Sequence, residues 1–189
     1  MTNNLLPRSF YERDTLIVAR ELLGKRLVRM LDGLRMVGAI VETEAYIGEA
    51  DLACHAKAGR TPRTRVMYGP GGAAYVYFTY GMHWMLNAVT GIEGSPAAVL
   101  IRAIQPIESV EIMRERRKFD SYDGPAKLTQ AMAIDKSFNG VDLTDSSGGL
   151  WIEAGDQIPD ERVTIGPRVG LYSVPEPWKS KPWRFRIKM

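Results

Sequence analysis

The spacing of apolar residues predicts a short helix first: Asp14 precedes Thr15–Leu23, in which Leu16, Ala19 and Leu22 or Leu23 share one face. Two strand-like runs follow, Arg26–Leu31 and Leu34–Glu44, joined by Asp32-Gly33, a strong hairpin signal. Strict alternation in the second run places Met36, Gly38, Ile40, Glu42 and Glu44 on one side, so two carboxylates extend an otherwise apolar face. That is a local conflict, and such conflicts tend to mark function. Residues 45–72 read as an irregular excursion rich in turn formers, longer than a compact domain needs for a connection. Ala73–Tyr80 is an aromatic strand with Tyr75 and Tyr77 on one face, and Pro96–Ala103 is a strand with Leu100 and Arg102 together. Helices are predicted from about Ile107 to Phe119 and from Pro125, a good first helical residue, to Ile134. Leu150–Glu153 and Trp183–Lys188 close the pattern as strands, the second with Arg184, Arg186 and Lys188 on its polar face.

Strands outnumber helices and are joined by hairpins and turns, not by regular βαβ units. The expected class is therefore α+β, a curved, mainly antiparallel, open-barrel-like sheet with flanking helices. No repeat or Pro-rich linker divides residues 1–189, which are expected to form a single domain.

The single cysteine, Cys54, excludes an intramolecular disulfide and any multi-cysteine metal site, and suits a reducing compartment. With only His55 and His83 and no dense acidic cluster, no metal or other cofactor is expected. No long apolar run predicts a membrane segment or a secretion signal, so a cytoplasmic setting is expected. The net charge of +3 hides an uneven distribution. Residues 52–92 contain no acid, yet hold Lys57, Arg60, Arg63 and Arg65; after Arg162 the only acid is Glu176, among six lysines and arginines. Two acid-poor basic zones suit a polyanion. A solvated basic surface is the simpler reading of either zone alone.

The chemistry concentrates between Val41 and Asn87: VETEAY, His55, TPRTR and YVYFTYGM. Singly these features are ordinary, since strand tyrosines usually pack, a lone histidine is usually structural, and Glu44 could be half of a salt bridge. Together with LIRA at 100–103 and GPAKL at 124–128, their order and spacing resemble the alkyladenine (3-methyladenine) DNA glycosylase family of the mammalian type, over about Leu5 to Phe185. The chain departs from that family in its very short N-terminal tail and a short stretch between Phe119 and Gly124.

The resemblance implies an enzyme that flips alkylated or deaminated purines from duplex DNA and hydrolyses their N-glycosidic bond. It implies Glu44 as general base for the water, with Arg102 and the backbone at Val169 helping to hold that water. Tyr46, His55 and Tyr77 would line the pocket and sandwich the base, and Asn87 would border its edge. Tyr80 would enter the duplex with Met82 beside it, while Arg60, Arg63 and Arg65 would contact phosphates. The partner would be double-stranded DNA containing damaged purines, and the protein a monomer. For a neutral leaving base, His55 or a nearby backbone N–H is the expected proton source, the alternative being that His55 only packs against the base.

Three alternatives come from other classes. A non-catalytic nucleic-acid-binding barrel would also show basic strands and stacking tyrosines, although Glu44 in a phosphate groove would weaken binding unless it had a task. A lyase would need Lys57 or Lys127 as an amine nucleophile. Metal-dependent hydrolysis lacks ligands.

Overall fold

The computed structural model describes residues 4–118 and 121–188. A short helix, α1 (Arg8–Tyr11), leads into α2 (Thr15–Glu21), whose Asp14 cap accepts from the amides of Leu16 and Ile17 at 2.8 and 3.2 Å. Strands β1 (Arg26–Leu31) and β2 (Leu34–Ile47) form the expected hairpin, with Asp32 and Gly33 both at positive φ. Then come β3 (Ala74–Thr79), β4 (His83–Val89), β5 (Ala97–Glu108), α3 (Val110–Arg117), α4 (Pro125–Ala131), β6 (Leu150–Glu153), β7 (Val163–Gly166) and β8 (Arg184–Ile187).

Among the described residues all eight strands join one open sheet in the order β3-β4-β5-β2-β1-β6, with β8 pairing both β2 and β7. Every strand pairing is antiparallel, so the chain has the α+β architecture expected. No helix among the described residues is long and apolar enough to cross a membrane.

One face of the sheet carries the main core, where Val18, Leu22, Leu86, Ile101, Leu128 and Met132 pack with no more than trace exposure. The other face carries a smaller cluster around Cys54, Met67, Tyr75, Val89 and Ala98, with Tyr46 and Tyr77 against it.

Two β-bulges resolve the conflict on β2. In the β2–β5 ladder Ile40 pairs with Ile104 and Glu42 with Ala103, which leaves Val41 without a partner; Thr43 then pairs with Ile101, which leaves out Arg102. An extra residue reverses the alternation of the strand that carries it. Met36 and Ile40 therefore reach the main core, but beyond the bulge Val41, Thr43 and Ala45 take over that face, with Thr43 Oγ1 donating to the Ala19 carbonyl at 2.7 Å. Glu42, Glu44 and Tyr46 turn to the opposite side. The strict alternation that put both carboxylates on the Met36–Ile40 face is corrected by one residue.

Other boundaries shift for equally local reasons. Ile107 and Glu108 continue β5, so α3 starts at Val110, and Phe119 lies outside the described residues. The predicted helix 125–134 ends at Ala131, and β2 runs on to Ile47, shortening the irregular excursion, which holds two 3₁₀ turns at His55–Ala58 and Arg65–Tyr68. The strand predicted to end at Tyr80 stops at Thr79. Strands β4 and β7 were not predicted.

Candidate active site

The smaller cluster floors a cavity of about 320 Å³, walled by Tyr46, His55, Tyr75, Tyr77, Asn87 and Arg102 among others. Pro125 from α4 and Val169, Gly170 and Leu171 from the segment between β7 and β8 complete it. Four parts of the chain distant in sequence thus converge. The volume falls within the range of pockets that enclose small ligands.

Glu44 lies just behind this wall with its side chain fully buried. Its Oε1 accepts from the Val169 amide at 2.7 Å and its Oε2 from the Tyr46 hydroxyl at 2.8 Å, with Arg102 Nη1 3.4 Å from Oε2. A carboxylate offers about four acceptor positions, and three donors do not exhaust them. Burial raises the Glu44 carboxyl above the ordinary value, and the Arg102 guanidinium, the Val169 amide and the Tyr46 hydroxyl work against that rise. The result is a stronger base than an exposed glutamate, kept ionisable by its donors. The Tyr46 hydroxyl is itself pushed well up by burial and by Glu44, which keeps it a donor.

The contact from Val169 depends on its neighbour. Arg168 Nη1 and Nη2 bind Asp51 at 2.5 and 2.9 Å in a fully buried pair, and the guanidinium lies 4.7 and 4.9 Å from the ring centroids of Tyr46 and Trp183. The match Arg168-Val169-Gly170 hinted at a backbone role here, but nothing local linked Arg168 to Asp51, 117 positions earlier.

Aromatic rings line the opposite wall. His55 meets Tyr77 edge-on at 4.5 Å between centroids, and its Nδ1 shares a 2.9 Å hydrogen bond with the Tyr75 hydroxyl. Burial, then the cations Arg63 and Lys57, lower His55 to about 4, so the ring is neutral near neutral pH. Near neutral pH the site therefore presents His55 as a neutral imidazole, edge-on to Tyr77. Asn87 is buried and its amide donates to the Tyr75 carbonyl at 2.9 Å, which fixes its orientation at the pocket edge.

At the mouth, β3 and β4 are joined through Tyr80, Gly81 and Met82, the first two at φ 51° and 68°, with the Met82 amide donating to the Thr79 carbonyl at 3.2 Å. Positive φ at both central residues is the type I′ geometry that suits a hairpin, yet a bulky residue there is an outlier. The side chains of Tyr80 and Met82 are left 83% and 67% exposed. Tyr80 therefore stands in the turn, not on the strand. Arg60, Arg63 and Arg65 are exposed on the excursion; Arg63 lies 5.3 Å from the Tyr77 ring centroid and Arg60 5.8 Å from that of Tyr68.

The two candidate amine nucleophiles do not line the cavity. Lys57 Nζ donates to the Leu52 carbonyl at 2.8 Å, and Lys127 Nζ is 2.7 Å from Asp123.

Comparison with known proteins supplies the class. Residues 9–189 match the model of the family described as methylpurine-DNA glycosylase (MPG). A relative in Methanocella arvoryzae is 50% identical over 97% of this chain and 92% of its own length, and one in Carboxydothermus hydrogenoformans is 48% identical over 97% and 95%. One in Myxococcus xanthus is 46% identical over 98% of this chain and 91% of its own. All three carry the provisional name 3-methyladenine DNA glycosylase. The chain belongs to the methylpurine-DNA glycosylase family. It is a DNA glycosylase, a hydrolase of N-glycosyl bonds that acts in DNA repair.

Proposed function

We propose that residues 1–189 act as one domain that extrudes alkylated or deaminated purines, such as 3-methyladenine, 7-methylguanine, hypoxanthine and ethenoadenine, from duplex DNA and hydrolyses the bond to C1′. The observation that carries the reading is Glu44: a buried carboxylate anchored by Val169, Tyr46 and Arg102 immediately behind an aromatic cavity. Extrusion costs a few kcal/mol and costs least for damaged or mispaired bases, which is already a source of selectivity. Tyr80, presented by its turn with Met82 beside it, fills the gap left in the stack. Tyr46, His55 and Tyr77 hold the base, and their faces favour a cationic alkylated purine through both stacking and ring quadrupoles. Asn87, immobilised by Tyr75, borders the purine edge and crowds out the exocyclic amine of normal guanine. Arg60, Arg63 and Arg65 bind phosphates, which fixes position without reading sequence.

Departure of the base leaves an oxocarbenium-like sugar. Glu44 accepts the proton of the attacking water and its charge stabilises that cation, while Arg102 and the backbone at Val169 steady the water. No cofactor is needed for this chemistry, and one protein molecule suffices. The test is release of free base, without added metal, from duplexes each holding one damaged purine. Glu44→Gln preserves shape but cannot take the proton, so its single-turnover rate drops by about 10²–10⁴-fold while binding to abasic-site DNA persists. Base release at the parent rate by that variant would remove Glu44 from the mechanism.

A further inference from the structure

The reaction just proposed uses only one of the two carboxylates that the β2 bulge turns toward the site. The other, Glu42, is 7% exposed at its side chain, and its Oε1 accepts from Arg102 Nε at 3.0 Å. Two cations of β8 lie further off: Arg184 Nη1 at 3.7 Å from Oε1 and Arg186 Nε at 3.9 Å from Oε2. Arg184 and Arg186 side chains are 29% and 44% exposed and reach water, whereas Arg102 is 14% exposed and depends on its protein partners.

Arg102 is the residue left out of the β2–β5 ladder, so its direction is set less by strand pairing than by what its side chain binds. Its guanidinium is divided: Nε serves Glu42, and one terminal nitrogen reaches Glu44. A guanidinium free to turn would engage one carboxylate with two parallel N–H groups, the stronger arrangement. Directed at Glu44, that fork would stabilise the ionised form further and weaken it as a base.

We propose that Glu42 is a positioning residue for the glycosylase reaction, holding Arg102 by its Nε so that Glu44 receives a single N–H and keeps its strength as a base. The inference rests on the reading of Glu44 as that base. The groups facing Glu44 are Arg102 from β5, the Tyr46 hydroxyl from its own strand, the Val169 amide, Glu42, the more distant Tyr77 from β3, and Arg184, its pairing partner on β8. Glu42 itself faces Arg102, Arg184 and Arg186.

The experiment compares single-turnover release of hypoxanthine from a duplex, across pH, for the parent, Glu42→Gln and Glu42→Asp, with abasic-site DNA binding and thermal unfolding measured alongside. Glu42→Gln keeps an oxygen that can accept from Arg102 Nε but removes the charge, so the guanidinium is drawn toward the remaining carboxylate, Glu44. Its acidic limb is expected to move about one pH unit lower, and its plateau to fall roughly 3- to 10-fold, with binding unchanged. Glu42→Asp keeps the charge and leaves the limb in place. In an Arg102→Gln background the Glu42→Gln change no longer moves the limb. An acidic limb of Glu42→Gln that superposes on the parent's overturns the proposal, as does an equal shift in Glu42→Asp or an undiminished shift without Arg102. If Glu42→Gln fails to fold, Glu42→Ala read in the parent and in the Arg102→Gln background decides: a lowered limb that needs Arg102 supports the proposal, and an unmoved limb or a shift that persists without Arg102 overturns it. Glu44→Gln separates the two levels. If it is inactive while Glu42→Gln behaves as the parent, only the role of Glu42 is lost; if it is active, the base assignment itself has failed.

Discussion

Replacing Tyr80 with asparagine should make the protein more stable and less active. Tyr80 holds φ 51° in the β3–β4 turn, where an L-residue with a bulky side chain pays about 1–2 kcal/mol. The residue is 83% exposed, so truncation forfeits little packing. Asparagine tolerates the left-handed region and, followed by Gly81, forms the sequence preferred by a type I′ turn. Unlike glycine, it adds little freedom to the unfolded chain. The expected net gain is about 1 kcal/mol, which raises Tm by roughly 2–4 °C in a domain of this size. Activity moves the other way. Loss of a ring that stacks in the duplex removes about 1–3 kcal/mol of retention, a reduction of roughly 5- to 150-fold in single-turnover release under conditions where flipping limits the rate. Calorimetry and base release on one duplex read both effects. A lower Tm for Tyr80→Asn would show that the ring stabilises the free protein and would refute the account of a strained, unsupported tip; unchanged release would refute its role in DNA.

Three further outcomes follow from the same geometry. Arg168→Met leaves the buried Asp51 carboxylate with only the amides of Ile47 and Ala53, so denaturant unfolding should show a loss of about 3–5 kcal/mol, whereas Arg168→Met with Asp51→Asn, which keeps an acceptor for those amides without the charge, should recover part of it. Arg63→Ala should flatten the dependence of DNA binding on salt by about one counterion, and identical slopes for variant and parent would take Arg63 off the phosphates. His55 is held near 4 in the fold against about 6.5 in an unfolded chain, so the unfolded state binds its proton first as pH falls. Its contribution to stability is therefore complete above about pH 6.5 and is lost on acidification toward 4, and His55→Asn should remove that part of the pH dependence. The same neutrality predicts that 7-methylguanine and hypoxanthine duplexes share one shape of rate profile between pH 6 and 8; a falling limb in that window for hypoxanthine alone, abolished by His55→Asn, would restore an acid role.

Much of this architecture is written locally in the chain. Asp32-Gly33 marks a hairpin, Asp14 caps α2, Pro125 opens α4, and Phe185 and Ile187 alternate with arginines as a half-buried strand should. Strand β4 was illegible because His83–Val89 shows no clean alternation, as both faces of its second half, Leu86–Val89, are covered, and because Tyr80-Gly81 lacks the Asn or Asp that usually signals a type I′ turn. The candidate site divides in the same way. Tyr75 and Tyr77, and Leu100 and Arg102, share faces by simple alternation, as their spacing implied; that both faces line one cavity is a product of the fold. The position of Glu44 required the Val41 bulge, which no composition rule announces. The Arg168–Asp51 pair and the division of Arg102 between Glu42 and Glu44 are products of tertiary proximity, and periodicity has no access to them.

The hydrogen bond from the Val169 amide to Glu44 joins residues 125 positions apart, and the Arg168 anchor spans 117. In a chain made from its N-terminus, Glu44 is therefore synthesised long before the segment beyond Gly166 and before strand β8, which pairs with β2 around it. Closing a loop of that size costs about 4 kcal/mol of chain entropy, supplied by the docking of the whole C-terminal stretch at once. On the reading proposed for Glu44, its anchorage is therefore assembled only when the C-terminal stretch docks, among the last steps open to a growing chain.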